Sequence, residues 1–125
     1  MNRSNFERLI AIAVYGLPDE FQAKLENVDI LVQDWPEQYQ MDKLDLKGGG
    51  MLLGLYEGVP QTERSNYGLV PPDKITIFQK PIEAKCGQHD TRVAAEITRV
   101  VEHEIAHHFG ISDSRLEQLE KERRR

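Results

Sequence analysis

Val93-Ala94-Ala95-Glu96-Ile97-Thr98-Arg99-Val100-Val101-Glu102-His103-Glu104-Ile105-Ala106-His107-His108-Phe109-Gly110-Ile111-Ser112-Asp113 is the stretch from which the rest of the chain can be read. Val93, Ala94, Ile97, Val100, Val101 and Ile105 recur at helical spacing, so Val93 to His108 forms a helix with one broad apolar stripe. His103 and His107 fall together on the flank of that stripe, beside Glu96, whereas Glu104 lies nearer its centre. Two imidazoles four residues apart on a helix can reach one metal ion, and a glutamate between them can accept a proton from water that the ion activates. A carboxylate at the centre of an apolar stripe also needs a partner, which an activated water or an ordered hydrogen-bond network would supply.

Downstream, Gly110 stands where a helix end calls for a left-handed residue, and Asp113 follows closely enough for a turn to bring its carboxylate back to the ion. His103, His107 and Asp113 then make three protein ligands, leaving the fourth tetrahedral position of a catalytic zinc open. Ser112-Asp113-Ser114 also carries the pattern of an N-terminal cap for a final helix, and Asp113 can serve either role. The imidazole donors favour zinc over calcium or magnesium. With Glu104 as general base, the chemistry expected is peptide-bond hydrolysis. His108 points about 100° away from His107 around a helix and is read as a histidine that packs or that supports the ligands from behind.

Composition narrows the remaining possibilities. At 125 residues the chain is expected to form one domain spanning 1–125, with a modest core that needs no disulfides. A net charge of −5 argues against nucleic acid or an anionic membrane as partner. A peptide or unfolded protein segment is the expected partner, and homo-oligomerisation is left open. Cys86, the single cysteine, excludes an intrachain disulfide and is read as a half-buried structural thiol. The N-terminal region has no sustained apolar run, so the expected location is cytoplasmic.

Elsewhere, Phe6, Leu9, Ile10 and Ala13 describe an amphipathic helix ended by Gly16, and Asp19 to Asn27 a second short helical segment. Val28 to Trp35, Met51 to Tyr56 and Ile75 to Phe78 read as strands. Together these predict an α+β fold, a short mixed sheet packed against helices. Trp35 is read as a partly buried packing residue. Gln38 to Gly50 and Glu57 to Asp73 are expected connections, and Pro81 with Cys86-Gly87 is expected to separate the third strand from the long helix. Gly48-Gly49-Gly50 lacks the lysine and hydroxyl of a phosphate loop. Gln61 to Tyr67 reads as a solvated connection rather than a substrate wall or lid, with Arg64 and Tyr67 as transition-state donors only if folding brings them to the metal face. Ser112 to Arg125 carries apolar anchors at Leu116 and Leu119 and ends in charge.

The His103–Asp113 run, the Leu53-Gly54-Leu55-Tyr56-Glu57-Gly58 run and the Leu69–Phe78 approach to the helix resemble the small bacterial zincin-like family of minimal metalloproteases. The resemblance implies a compact α+β domain with an HExxH helix, a following helix near the site and zinc-dependent peptide hydrolysis. It matches His103 and His107 to the first two ligands, Glu104 to the base, Gly110 to the turn glycine and Asp113 to the third ligand. A noncatalytic zinc-stabilised peptide-binding or interaction domain is the alternative from a different class. So small a domain implies a shallow groove, in which an extended peptide could pair with a strand edge near the zinc.

Overall fold

In a computed structural model that describes residues 1–43, 51–59 and 71–123, the elements run α1 (Arg3–Tyr15), α2 (Asp19–Lys24), β1 (Val28–Gln33), α3 (Gln38–Asp42), β2 (Gly54–Glu57), β3 (Asp73–Phe78), α4 (Gln79–Cys86), α5 (Asp90–Phe109) and α6 (Asp113–Arg123). β3 is the central strand of a three-stranded sheet ordered β1-β3-β2. β1 pairs with it in parallel, Ile30 opposite Ile75, and β2 in antiparallel, Tyr56 opposite Ile75. The fold is therefore α+β with a mixed sheet. Ile75, Ile77 and Phe78 are fully buried, as a strand flanked on both edges requires.

Helix α5 is the long element the apolar stripe predicts. Val93, Ile97, Val100, Val101 and Ile105 are buried in the main core with Phe6, Leu9, Ile10 and Ala13 of α1. Each large apolar side chain so buried contributes roughly 1.5–3 kcal/mol, enough to fix which side of α5 faces inward and hence where its histidines point. The helix starts three residues before Val93, where Asp90 is held by Arg8 at 2.9 Å and by Asn5 at 3.0 Å. It ends at Gly110 in the left-handed conformation, φ 72°. α1 likewise ends at Gly16, as expected.

Two helices depart from the expected connections. α3 occupies the start of the polar Gln38–Gly50 stretch, and its inward residue is Gln40, completely buried. Gln40 accepts from the Glu37 N–H at 2.8 Å and exchanges side-chain hydrogen bonds with Gln33 at 2.9 and 3.1 Å. A glutamine satisfied in this way can anchor a helix that hydrophobic periodicity does not register. α4 follows β3 directly, with Pro81 in its first turn, where the missing N–H breaks no helical bond. Pro81 thus marks a helix beginning rather than a separation. Strand ends also shift: β1 stops at Gln33, β2 runs from Gly54 to Glu57, and β3 begins at Asp73. Trp35 lies past the end of β1 in a bend and is 58% exposed, which corrects its assignment as a partly buried packing residue.

No helix among the described residues is long and apolar enough to cross a membrane. Gly48-Gly49-Gly50, the Gln61–Tyr67 segment with Arg64 and Tyr67, and the final two arginines lie outside the described residues.

Candidate metal centre

The last turns of α5 and the first turn of α6 enclose the sequence-predicted donors. Gly110 ends α5, and the N–H of Ile111 returns to the Ala106 carbonyl at 2.9 Å, turning the chain sharply into α6. Ser112 Oγ then accepts from the Arg115 N–H at 3.2 Å and caps α6. Of the two roles open to Asp113, capping therefore falls to its neighbour. Asp113 sits in the first turn, and its carboxylate makes no hydrogen bond or ion pair among the described residues. Leu116 and Leu119, both buried in the main core, hold α6 against α5.

His103, His107 and Asp113 line a single hollow of about 350 Å³ with Leu116, Glu117 and Glu120. The two imidazole rings lie 6.3 Å apart between centroids and nearly perpendicular, at 87°. His103 is half-buried and His107 exposed, and neither ring nitrogen is hydrogen-bonded among the described residues. Two imidazoles and a carboxylate around one space are the donor types zinc takes, so the residues present fit that ion by their chemistry. Among the described residues no three histidine, cysteine or acidic side chains stand close enough together to hold a metal ion as they are, so His103, His107 and Asp113 share the hollow without forming a ligand set in this structure. Glu117 and Glu120 add further carboxylates to the wall.

Glu104 is not among the residues lining this hollow; it faces β2. Its Oε1 accepts a hydrogen bond from the Tyr56 backbone N–H at 3.0 Å, so the partner demanded by a carboxylate in an apolar stripe is the edge of the sheet. Burial raises the Glu104 carboxyl above its ordinary pKa, outweighing the Tyr56 N–H and the attraction of nearby His107, both of which lower it. The approach of β2 to α5 depends on Gly54: a Cβ there would lie 2.5 Å from Val100 Cγ1. The outward N–H of β2 at Tyr56 is thus already engaged, which narrows the use of this edge for pairing an extended peptide.

Tyr56 is fixed by its side chain as well. Its hydroxyl donates to Asp73 Oδ2 at 2.7 Å, and its ring stacks on His108 with centroids 3.9 Å apart and planes at 19°. His108 is accordingly the packing residue its helical angle predicts. Tyr56 and Asp73 were not singled out by sequence reasoning as parts of a site. The one signal is an aspartate at the head of a strand rich in Ile and Phe, in the position where a connection is expected to end. Cys86 is half-buried, and burial pushes its thiol pKa up, with Glu96 adding to the effect, as befits a structural thiol.

A sequence model of the zincin-like metallopeptidase family matches residues 25–123, a span that takes in the sheet, α5 and α6 and leaves out α1 and α2. A search of curated proteins found no match to the chain.

Proposed function

Because the chain belongs to the zincin-like metallopeptidases, we propose that it hydrolyses peptide bonds with zinc held by His103, His107 and Asp113 and with Glu104 as general base. The observation that carries this reading is that two imidazoles and a carboxylate, none hydrogen-bonded among the described residues, line one hollow between α5 and α6. When bound, zinc supplies a Lewis acid that polarises the scissile carbonyl and acidifies water.

The chain's own residues do the rest. Glu104 Oε1 is held by the Tyr56 N–H on the β2 side, outside the lining of the hollow, and Oε2 is the oxygen assigned to take the proton of the attacking water and pass it to the leaving amine as the C–N bond breaks. Its raised pKa brings it closer to the working pH, which suits a group that must both accept and return a proton. The open hollow suits an extended peptide or an unfolded protein segment better than a compact small molecule. A reduced, half-buried Cys86 needs no oxidising compartment, which supports a cytoplasmic setting.

Elemental mass spectrometry on wild type and Glu104→Gln, combined with a screen against quenched-fluorescent peptides, tests the proposal. Near-stoichiometric zinc is expected in both proteins, with cleavage falling by roughly 10²- to 10⁴-fold in Glu104→Gln. Comparable cleavage by the variant would remove Glu104 from the base role. Zinc-dependent peptide binding by wild type without products would assign the chain to a noncatalytic binding domain.

A further inference from the structure

We propose that Asp73 and Tyr56 are positioning residues for Glu104: Asp73 pegs the end of β2, Tyr56 carries that constraint along the strand, and the Tyr56 backbone N–H thereby fixes Glu104 Oε1. This rests on the reading of Glu104 as the base. The geometry spans three elements. Asp73 opens β3 and is buried, and its two oxygens grip the chain on either side of Gly58. Oδ2 accepts from the Tyr56 hydroxyl at 2.7 Å, and Oδ1 accepts from the Val59 N–H at 2.9 Å. One carboxylate thus fixes one point within the four-residue edge strand and a second two residues past its end.

The remaining contacts aim that strand at α5. The Tyr56 ring is stacked on His108, and Gly58 leaves room for it, since a Cβ there would come within 3.3 Å of His108 Cε1. Leu53, Leu55 and Glu57 turn their backbone groups toward β3 in the antiparallel register, so the intervening Tyr56 N–H points outward to Glu104. Because the bond to Glu104 comes from backbone, the Tyr56 side chain acts only through where it sets the strand. A general base displaced by a fraction of an ångström loses rate while substrate and metal binding are unchanged. Among the described residues, Tyr56 and Asp73 are not part of the lining of the hollow that His103, His107 and Asp113 share.

Tyr56→Phe removes the hydroxyl bond to Asp73 and keeps the ring stack and the backbone N–H. On the zinc-loaded protein it is expected to lower kcat about tenfold, with KM within about twofold and zinc content unchanged. Hydrogen exchange gives a readout independent of activity. In Asp73→Ala, as in Glu104→Ala, the Tyr56 amide is expected to exchange at least about tenfold faster, while the Leu55 and Glu57 amides facing β3 are expected to stay slow. An unchanged Tyr56 amide in Asp73→Ala, or a Tyr56→Phe rate loss accounted for by its unfolded fraction alone, would overturn the proposal. If Asp73→Ala does not fold, Tyr56→Phe carries the test, because it keeps the Val59 bond. Retained cleavage by Glu104→Gln would refute the base assignment itself, and the Tyr56 amide would still report whether the tether exists.

Discussion

The two sides of α5 near its C-terminal end differ in how far their polar groups are engaged. Toward β2, Glu104 is held by the Tyr56 N–H, His108 lies flat against the Tyr56 ring, and Gly54 presses against Val100. Toward α6, His103, His107 and Asp113 surround a hollow with no hydrogen bond of their own among the described residues. The first side is built from backbone and close packing, which fix a group in one place. The second is built from side chains across a helical turn, which leaves donors free to take a ligand. In the proposed roles the base is positioned by the sheet and the metal by the α5–α6 turn, so each can be disabled with the other left standing.

The largest effect is expected on the open side. His103→Ala or His107→Ala should reduce zinc content to background and cleavage by roughly 10³-fold or more, since two of three protein ligands cannot hold a catalytic zinc at ordinary concentrations. His107 is exposed and His103 half-buried, so the metal-free variants should unfold within about 0.5 kcal/mol of metal-free wild type. Thermal unfolding with and without a chelator separates these outcomes. Wild type should lose stability on metal removal, because a ligand that binds only the folded state stabilises it by mass action, and the variants should not respond. A chelator response that persists in both variants would place the metal elsewhere.

Gly54→Ala attacks the engaged side. The new Cβ would stand 2.5 Å from Val100 Cγ1 and 3.3 Å from the Thr76 carbonyl oxygen. Val100 is β-branched and stiff in a helix, so β2 must move, at a cost of about 1–3 kcal/mol. Urea unfolding should show that loss, and zinc content should stay near wild type. Cleavage should fall because the Tyr56 N–H no longer meets Glu104. Adding Val100→Ala should recover part of both losses; full activity in Gly54→Ala alone would detach the strand's position from the chemistry.

The same contrast accounts for what could be read in the sequence. The open side rests on local spacing: two histidines one helical turn apart, a glycine at the helix stop and an aspartate three residues on are all legible in a single run. Even there the sequence left Asp113 with two roles, and only the capping bond from Ser112 Oγ to the Arg115 N–H shows which neighbour makes the cap. The engaged side rests on contacts 48 residues apart for Tyr56 with Glu104 and 17 apart for Tyr56 with Asp73. No spacing rule links those positions. The helices α3 and α4 escaped for a related reason, since a buried glutamine and a first-turn proline carry no apolar period. The mixed sheet and the long helix were legible because burial of valine, isoleucine and leucine leaves a periodic trace.

The smallest effect tests whether every polar group on the side of α5 away from β2 serves the chemistry. Glu96 lies on the same flank as His103 and is bound by Lys85 at 2.9 Å and by Arg99. Burial alone would raise its carboxyl, but the hydrogen bonds from Arg99 and Lys85 outweigh that and hold its pKa below the ordinary 4.5. A carboxyl whose folded pKa lies below its unfolded one contributes stability that is complete above the unfolded value and disappears as pH falls through the folded one. Glu96→Gln should therefore flatten the stability–pH curve on its acid side, below about pH 5, and leave the neutral-to-alkaline slope unchanged. Both cations are partly exposed, so the loss at neutral pH should be under about 1 kcal/mol and should shrink further in salt. Zinc content and cleavage should match wild type, because Glu96 is not among the residues lining the hollow around His103 and His107. A drop in zinc occupancy in Glu96→Gln would instead extend the metal's surroundings a full two turns up the helix.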